Sequence, residues 1–191
     1  MRHPSQVLFA GEKPFPVIPV VDHYAGSEKL IVKALQLQNE LGPIFDITCD
    51  CEDGAHASAD REHAEMVAAI IAGDTNRHDR VGVRIHDIRH PHWQQDIEII
   101  VSRAGKRLPF LTLPKVGGSE DVRVLVNELQ RVADAAGVER RIPVHVLIET
   151  HGALREIWEI AALPAVESLD FGLMDFVSGH HGAIPGSAMK S

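Results

Sequence analysis

An α/β fold of consecutive βα units is what this sequence predicts, and three observations carry the prediction. Short runs rich in β-branched and aliphatic residues alternate strictly with longer amphipathic stretches. Capping residues and glycines punctuate the boundaries. Almost every short run also closes on a polar or ionisable residue.

The runs expected as strands are 17–22, 44–50, 80–87, 110–116, 144–150 and 169–176. Between them, 27–41, 58–72, 92–104, 119–136 and 152–163 repeat apolar residues at three- and four-residue spacing, as one face of a helix requires. Ser27, Ser58 and Ser119 stand where N-caps are needed, and Asp60 and Glu62 put acidic charge in a first turn. Gly42-Pro43, Gly73 and Gly137 stand where helices should stop. A run as continuously apolar as 144–148 reads as a strand buried on both faces of a parallel sheet.

Such a series builds either an open doubly wound sheet or a TIM-type (β/α)8 barrel. The first turn lacks the Gly-x-Gly-x-x-Gly of a dinucleotide-binding sheet. The strand ends favour the barrel: Asp22; Asp50 with Glu52 and Asp53; Arg84 with His86 and Asp87; Lys115; Glu149; and Asp175. In a barrel these converge on the one face where such enzymes do chemistry. A complete barrel takes about 250 residues. With 191, the sequence is read as a single domain, 1–191, of about six βα units, its C-terminal part missing.

Composition narrows the function. Twenty-seven acidic against nineteen Lys and Arg residues give a net charge of −8, which argues against a nucleic-acid or membrane surface and leaves small anionic substrates open. The apolar stretch 15–21 holds two prolines and is too short for a signal core or spanning helix. Cys49 and Cys51 are neither a disulfide framework nor a redox Cys-x-x-Cys; they read as packed thiols in a reducing, cytoplasmic setting.

Glu149 and Asp175 close successive expected strands, 26 residues apart. Two facing carboxylates repel unless one is protonated or a cation lies between, and an all-oxygen pair suits Mg²⁺. The other reading has Glu149 capping a helix and Asp175 paired with a lysine. Arg84, inside an apolar strand, either clamps a substrate carboxylate at two points or forms an internal salt bridge to Asp50 or Glu52. Lys115 attracts an anion or simply pairs. The crowded Asp50, Glu52 and Asp53 raise one another's pKa for acid–base work, orient Arg84 or bound water, or form a solvated loop. His90, His92, His180 and His181 lack zinc spacing and read as surface residues. Gly117-Gly118-Ser119 resembles a phosphate-friendly helix entry.

Five segments in order, Asp50-Cys51-Glu52-Asp53-Gly54-Ala55, Val83-Arg84-Ile85-His86, Leu113-Pro114-Lys115-Val116, Ile148-Glu149-Thr150 and Phe171-Gly172-Leu173-Met174-Asp175-Phe176, resemble the citrate lyase beta-subunit-like branch of the HpcH/HpaI aldolases. The resemblance covers about residues 44 to 176. It implies a Mg²⁺-dependent carbon–carbon lyase on a TIM-type barrel, acting on a short 3-hydroxyacyl-CoA thioester and releasing a 2-oxo acid. It also implies Glu149 and Asp175 as metal ligands, Arg84 as the substrate-binding arginine, Asp53 and Glu52 as its acidic support, and Lys115 as a motif residue at the substrate. His86 stands where the family pattern has asparagine. The alternatives are a CoA-independent aldolase on free 2-oxo acids and a lyase subunit active only in a larger assembly. Because an incomplete barrel exposes strand edges, a homo-oligomer is expected.

Overall fold

The computed structural model describes residues 18–19, 21–53 and 59–189. Strands β1 (Asp22–Ala25), β2 (Asp46–Asp50), β3 (Val81–Arg84), β4 (Leu111–Leu113), β5 (Val144–Ile148) and β6 (Val166–Phe171) form one sheet in chain order. Every adjacent pair is parallel. Helices α1 (Glu28–Leu41), α2 (Asp60–Ala72), α3 (Trp93–Ala104) and α4 (Ser119–Ala135) fill the first four crossovers. Two short helices, α5 (His151–Arg155) and α6 (Ile157–Ala161), fill the fifth, and α7 (Leu173–Gly179) follows β6. Strands in chain order, each followed by a helix, are barrel topology rather than a doubly wound sheet. The sheet curls as six strands of such a barrel, with β1 and β6 as its two edges among the described residues.

Alternation along the strands separates core from site. Ile47, Cys49, Val81, Val83, Leu111, Leu113, Val144, Val146 and Ile148 point outward and join the buried faces of the helices in one apolar cluster. Ile31 and Leu35 of α1, Val67 and Ile71 of α2, Ile97 and Ile100 of α3, and Leu125 and Leu129 of α4 supply the other side, at the three- and four-residue spacing of a helix face. The intervening residues face the concave side and are mostly polar, including Asp22, Asp46, Arg84 and His145. β5 is buried along its whole length, as expected of a strand covered on both faces, and on the concave side it turns His145 and Leu147 towards the cleft.

Several expected boundaries shift. The first strand is 22–25, not 17–22; Asp22 therefore begins β1 instead of closing it, while Val17 and Val20 lie outside the described residues. The expected strand 169–176 splits at Gly172, where a Cβ would sit 2.2 Å from Glu149 Oε2, and the chain turns into α7 with Asp175 in its first turn. The expected helix 152–163 breaks at Glu156 into α5 and α6; Glu156 accepts from the backbone N–H and hydroxyl of Ser119. Ser27 holds its N-cap place without a side-chain bond, Ser58 lies outside the described residues, and Ser119 sits inside α4 with Gly118 at the cap. The side chain that does cap is Thr150, accepting from Ala153 N at 3.0 Å. Gly42 and Gly137 stop α1 and α4 with φ of +84° and +66°, a region that favours glycine.

Candidate active site

Arg84, the last residue of β3, is the centre of the concave face. Its Nε and Nη2 donate to the two oxygens of Asp50 at 2.8 and 2.7 Å, a two-point pairing across adjacent strands in register. Nη1 lies 2.8 Å from Glu52 Oε2, and Nη2 3.5 Å from Asp53 Oδ2. The ring of Tyr24, from β1, lies 5.5 Å from its Cζ. Burial opposes the charge, but Asp50, Glu52 and Asp53 outweigh it and hold the guanidinium's pKa above its ordinary value. The sequence alternative of an internal salt bridge is thus present. Asp50 takes one edge of the guanidinium and Glu52 the other, while Arg84 still lines a cleft of about 580 Å³ with Asp53, Glu149 and Asp175.

Glu52 joins Arg84 to Lys115. Burial pushes the Glu52 carboxyl up, and Lys115 Nζ at 2.5 Å pulls it back only in part. Lys115 Nζ also lies 3.5 Å from Asp53 and 3.9 Å from Asp175. The Lys115 backbone has a φ of +49°, rare for a side-chain-bearing residue, and in that conformation its N–H donates to Glu149 Oε1 at 2.7 Å. Five other residues expected at strand ends therefore meet Arg84 in one constellation: Glu52, Asp53, Lys115, Glu149 and Asp175.

Glu149 is 4% exposed, and burial raises its pKa to about 7 in spite of the Lys115 N–H; the Asp175 carboxylate pushes the same way. Glu149 does not cap α5, since Thr150 does. Asp175 is 41% exposed at the cleft mouth, with Lys115 as a distant partner. Among the described residues no three His, Cys, Asp or Glu side chains converge as a protein-only metal cage. Two oxygen donors facing one cleft, one of them poorly satisfied as an anion, fit Mg²⁺, which takes one or two carboxylates and completes its shell with water and substrate.

Sequence reasoning named Asp22 but missed the rest of the floor of the cleft, which Asp46, His145, Ser168 and Asp170 line with it. Burial lifts the Asp22 carboxyl to about 6, against the Thr48 hydroxyl that donates to both its oxygens at 2.9 and 2.8 Å. The signal was the alternation Asp46-Ile47-Thr48-Cys49-Asp50. Also missed was Asp96, 1% exposed on α3, which accepts from His86 N at 2.9 Å and pairs with His86 Nδ1 at 2.7 Å. Burial opposes His86 protonation, yet Asp96 holds its pKa above the ordinary value.

Other motifs stay outside the site. Cys49 and Cys51 are free, buried thiols, and burial pushes both pKa values up. His180 and His181 are exposed, while His90 and His92 are half-buried, His90 stacking on His86 at 3.9 Å. The Gly117 and Ser119 N–H groups donate to Asp121 and Glu156, so that helix entry already holds carboxylates of the chain. Gly54 and Ala55 lie outside the described residues.

The chain is 29% identical over 134 residues to the L-malyl-CoA/beta-methylmalyl-CoA lyase of Cereibacter sphaeroides, covering 69% of this chain and 42% of that protein. It is 28% identical over 145 residues to the malyl-CoA/beta-methylmalyl-CoA/citramalyl-CoA lyase of Chloroflexus aurantiacus, covering 73% and 40%. The chain thus spans about two fifths of these relatives. A citrate lyase structure from Burkholderia xenovorans superposes with a TM-score of 0.87 at 49% identity, over 94% of this chain and 56% of that one. The citrate lyase beta subunit of M. tuberculosis complexed with oxaloacetate and magnesium shares the fold, with a TM-score of 0.65 at 17% identity over 88% of this chain and 64% of that one. Residues 45–182 match the sequence profile of the HpcH/HpaI aldolase/citrate lyase family, which covers well over half of the chain, and the protein belongs to that family.

Proposed function

We propose that this chain carries the metal and substrate half of a Mg²⁺-dependent carbon–carbon lyase that cleaves a short 3-hydroxyacyl-CoA thioester and releases a 2-oxo acid. The observation that carries it is the meeting of Glu149 and Asp175 with the Arg84–Glu52–Lys115 knot at one cleft. Thioester substrates are supported by the named relatives, two of which are malyl-CoA lyases.

In such a cleavage the 3-hydroxyl loses its proton, the C2–C3 bond breaks, and its electron pair passes to C2 as a thioester enolate. The enolate then takes a proton, and the hydroxyl carbon becomes the 2-oxo carbon. Glu149 and Asp175 would hold the ion, which when bound polarises the 2-oxo carbonyl and orients the acid. Arg84 presents a fixed positive charge to the same space, and because Asp50 and Glu52 hold it in advance, no reorganisation is needed when charge develops. Glu52 and Asp53 act as its acidic support, Asp53 reaching the cleft with a side chain 59% exposed. Lys115 sets Glu149 through its N–H and places its ammonium between Glu52 and Asp175.

The chain works as a homo-oligomer in a reducing cytoplasm: among the described residues β1 and β6 have no strand on their outer edges, and both cysteines are free. Cleavage of malyl-CoA or citramalyl-CoA, followed with Mg²⁺ and with chelator, tests the proposal. Mg²⁺-dependent release of glyoxylate or pyruvate is the expected result, and full turnover in chelator would refute it. Turnover of free hydroxy acids but not of thioesters would replace it with a CoA-independent aldolase.

A further inference from the structure

The loop 115–118, between β4 and α4, brings Lys115 to the carboxylates of the cleft, and the segment after β5 grips that loop residue by residue. Glu149 Oε1 accepts from Lys115 N at 2.7 Å, and the Thr150 hydroxyl donates to the Val116 carbonyl at 2.6 Å. Gly152 lies so close to Gly117 that a Cβ would run into its carbonyl oxygen, and Glu156 accepts from Ser119 N at 2.9 Å. Neighbouring residues of one segment thus meet neighbouring residues of the other.

The Thr150 hydroxyl does more than cap α5. The cap uses its oxygen as acceptor from Ala153 N, and the bond to Val116 uses its proton as well. Val116 is fully buried, and among the described residues no backbone N–H meets its carbonyl. A buried carbonyl without a donor is costly, so the Thr150 proton fixes where Val116 stands. The residue before it is Lys115, with a φ of +49°. A side-chain-bearing residue keeps such a conformation only where its surroundings over-determine it. The Arg89 bond to the Lys115 carbonyl is a weaker hold, longer at 3.1 Å and made by a side chain 72% exposed. In the left-handed turn the Lys115 N–H meets Glu149 and its ammonium meets Glu52. A turn relaxed to negative φ would swing one or the other off its partner.

We propose that Thr150 is a positioning residue of the cleft: its hydroxyl, donating to Val116, locks the left-handed turn at Lys115 and so holds Glu149 and the Lys115 ammonium together before metal or substrate binds. What those two groups do rests on the lyase reading, and the lock does not. Thr150→Val and Thr150→Ala lose the hydroxyl with and without the β-branch, and Thr150→Ser keeps it. One lost cap is too small a share of a domain's stability to unfold the variants. Amide hydrogen exchange of the metal-free chain and calorimetric titration of pyruvate with Mg²⁺ read the effect. Loss of the hydroxyl should speed exchange at Lys115 and weaken pyruvate binding, each at least about fivefold, and Thr150→Ser should return both to within about twofold of the wild type. Exchange that rises at Ala153 alone, with pyruvate affinity unchanged, would assign Thr150 to the cap only and overturn the proposal. So would a Thr150→Ser variant as weak as Thr150→Ala. A wild type that binds no pyruvate with Mg²⁺ overturns the lyase reading and the positioning role with it, whereas equal pyruvate binding in the wild type and both hydroxyl-free variants overturns this inference alone.

Discussion

Arg84 is held before any substrate arrives, with Asp50 on one edge, Glu52 on the other and Tyr24 nearby. Arg84→Lys replaces that fork with a point charge, leaving buried carboxylates short of donors. It should cost about 1–3 kcal/mol in urea unfolding and weaken 2-oxo acid binding together. Asp22 gives a pH-dependent prediction. Its pKa is about 6 when folded against an ordinary 3.8, so between those values the folded state binds more protons than the unfolded state. Stability from this group is therefore lost as pH rises through that window. Asp22→Asn keeps an acceptor for Thr48 and should raise stability at pH 7 by about 1–2 kcal/mol, allowing for partial exposure, with no gain below pH 4. Equal effects at both pH values would exclude burial of the charge as the cause. Arg84, Glu149 and Lys115 were legible in the sequence because charge in or beside an apolar run demands a partner. Tyr24 and Asp96 were not, because their partners come from other elements brought near only by the curl of the sheet and the packing of α3.

The helices and strands were legible where a run has one period. Helices α1 to α4 lie within two residues of their expected bounds because each keeps an unbroken apolar face. Strand β6 was displaced because Leu169 to Phe176 is apolar enough to pass for one strand, and the break falls at Gly172, where Glu149, the residue after β5, leaves no room for a Cβ. The consequence is functional: Asp175 reaches the cleft from a helix turn, not from a strand end. Close approach also fixes Gly82, where a Cβ would lie 2.2 Å from the Phe110 ring, itself stacked on His145 at 4.0 Å. Gly82→Ala should lower stability by about 1–3 kcal/mol through displacement of that stack. An unchanged urea midpoint would show that Phe110 can move freely.

At the scale of the molecule, the expected count of six βα units is matched by six parallel strands in chain order. What the sequence could not show is how the open side is covered, because edge pairing depends on surfaces that periodicity does not encode. Trp158 is 82% exposed, and Phe171 and Met174 stand exposed beside the β6 edge. Apolar surface of this kind near an edge that is unpaired among the described residues favours association. Light scattering after gel filtration should therefore give a mass of at least twice 21.0 kDa, and Trp158→Ser should lower it; a monomer in the wild type would refute self-association.

The central claim is that Glu149 and Asp175 hold Mg²⁺ for a 2-oxo acid, and its most direct measurement is calorimetric titration of pyruvate with Mg²⁺ or with chelator, in the wild type, Glu149→Gln and Asp175→Asn. The account predicts binding that requires Mg²⁺ in the wild type and falls at least about tenfold in each variant, the effect of losing one ligand from a site with few protein donors. Pyruvate affinity that ignores Mg²⁺, or that survives both substitutions, would contradict it.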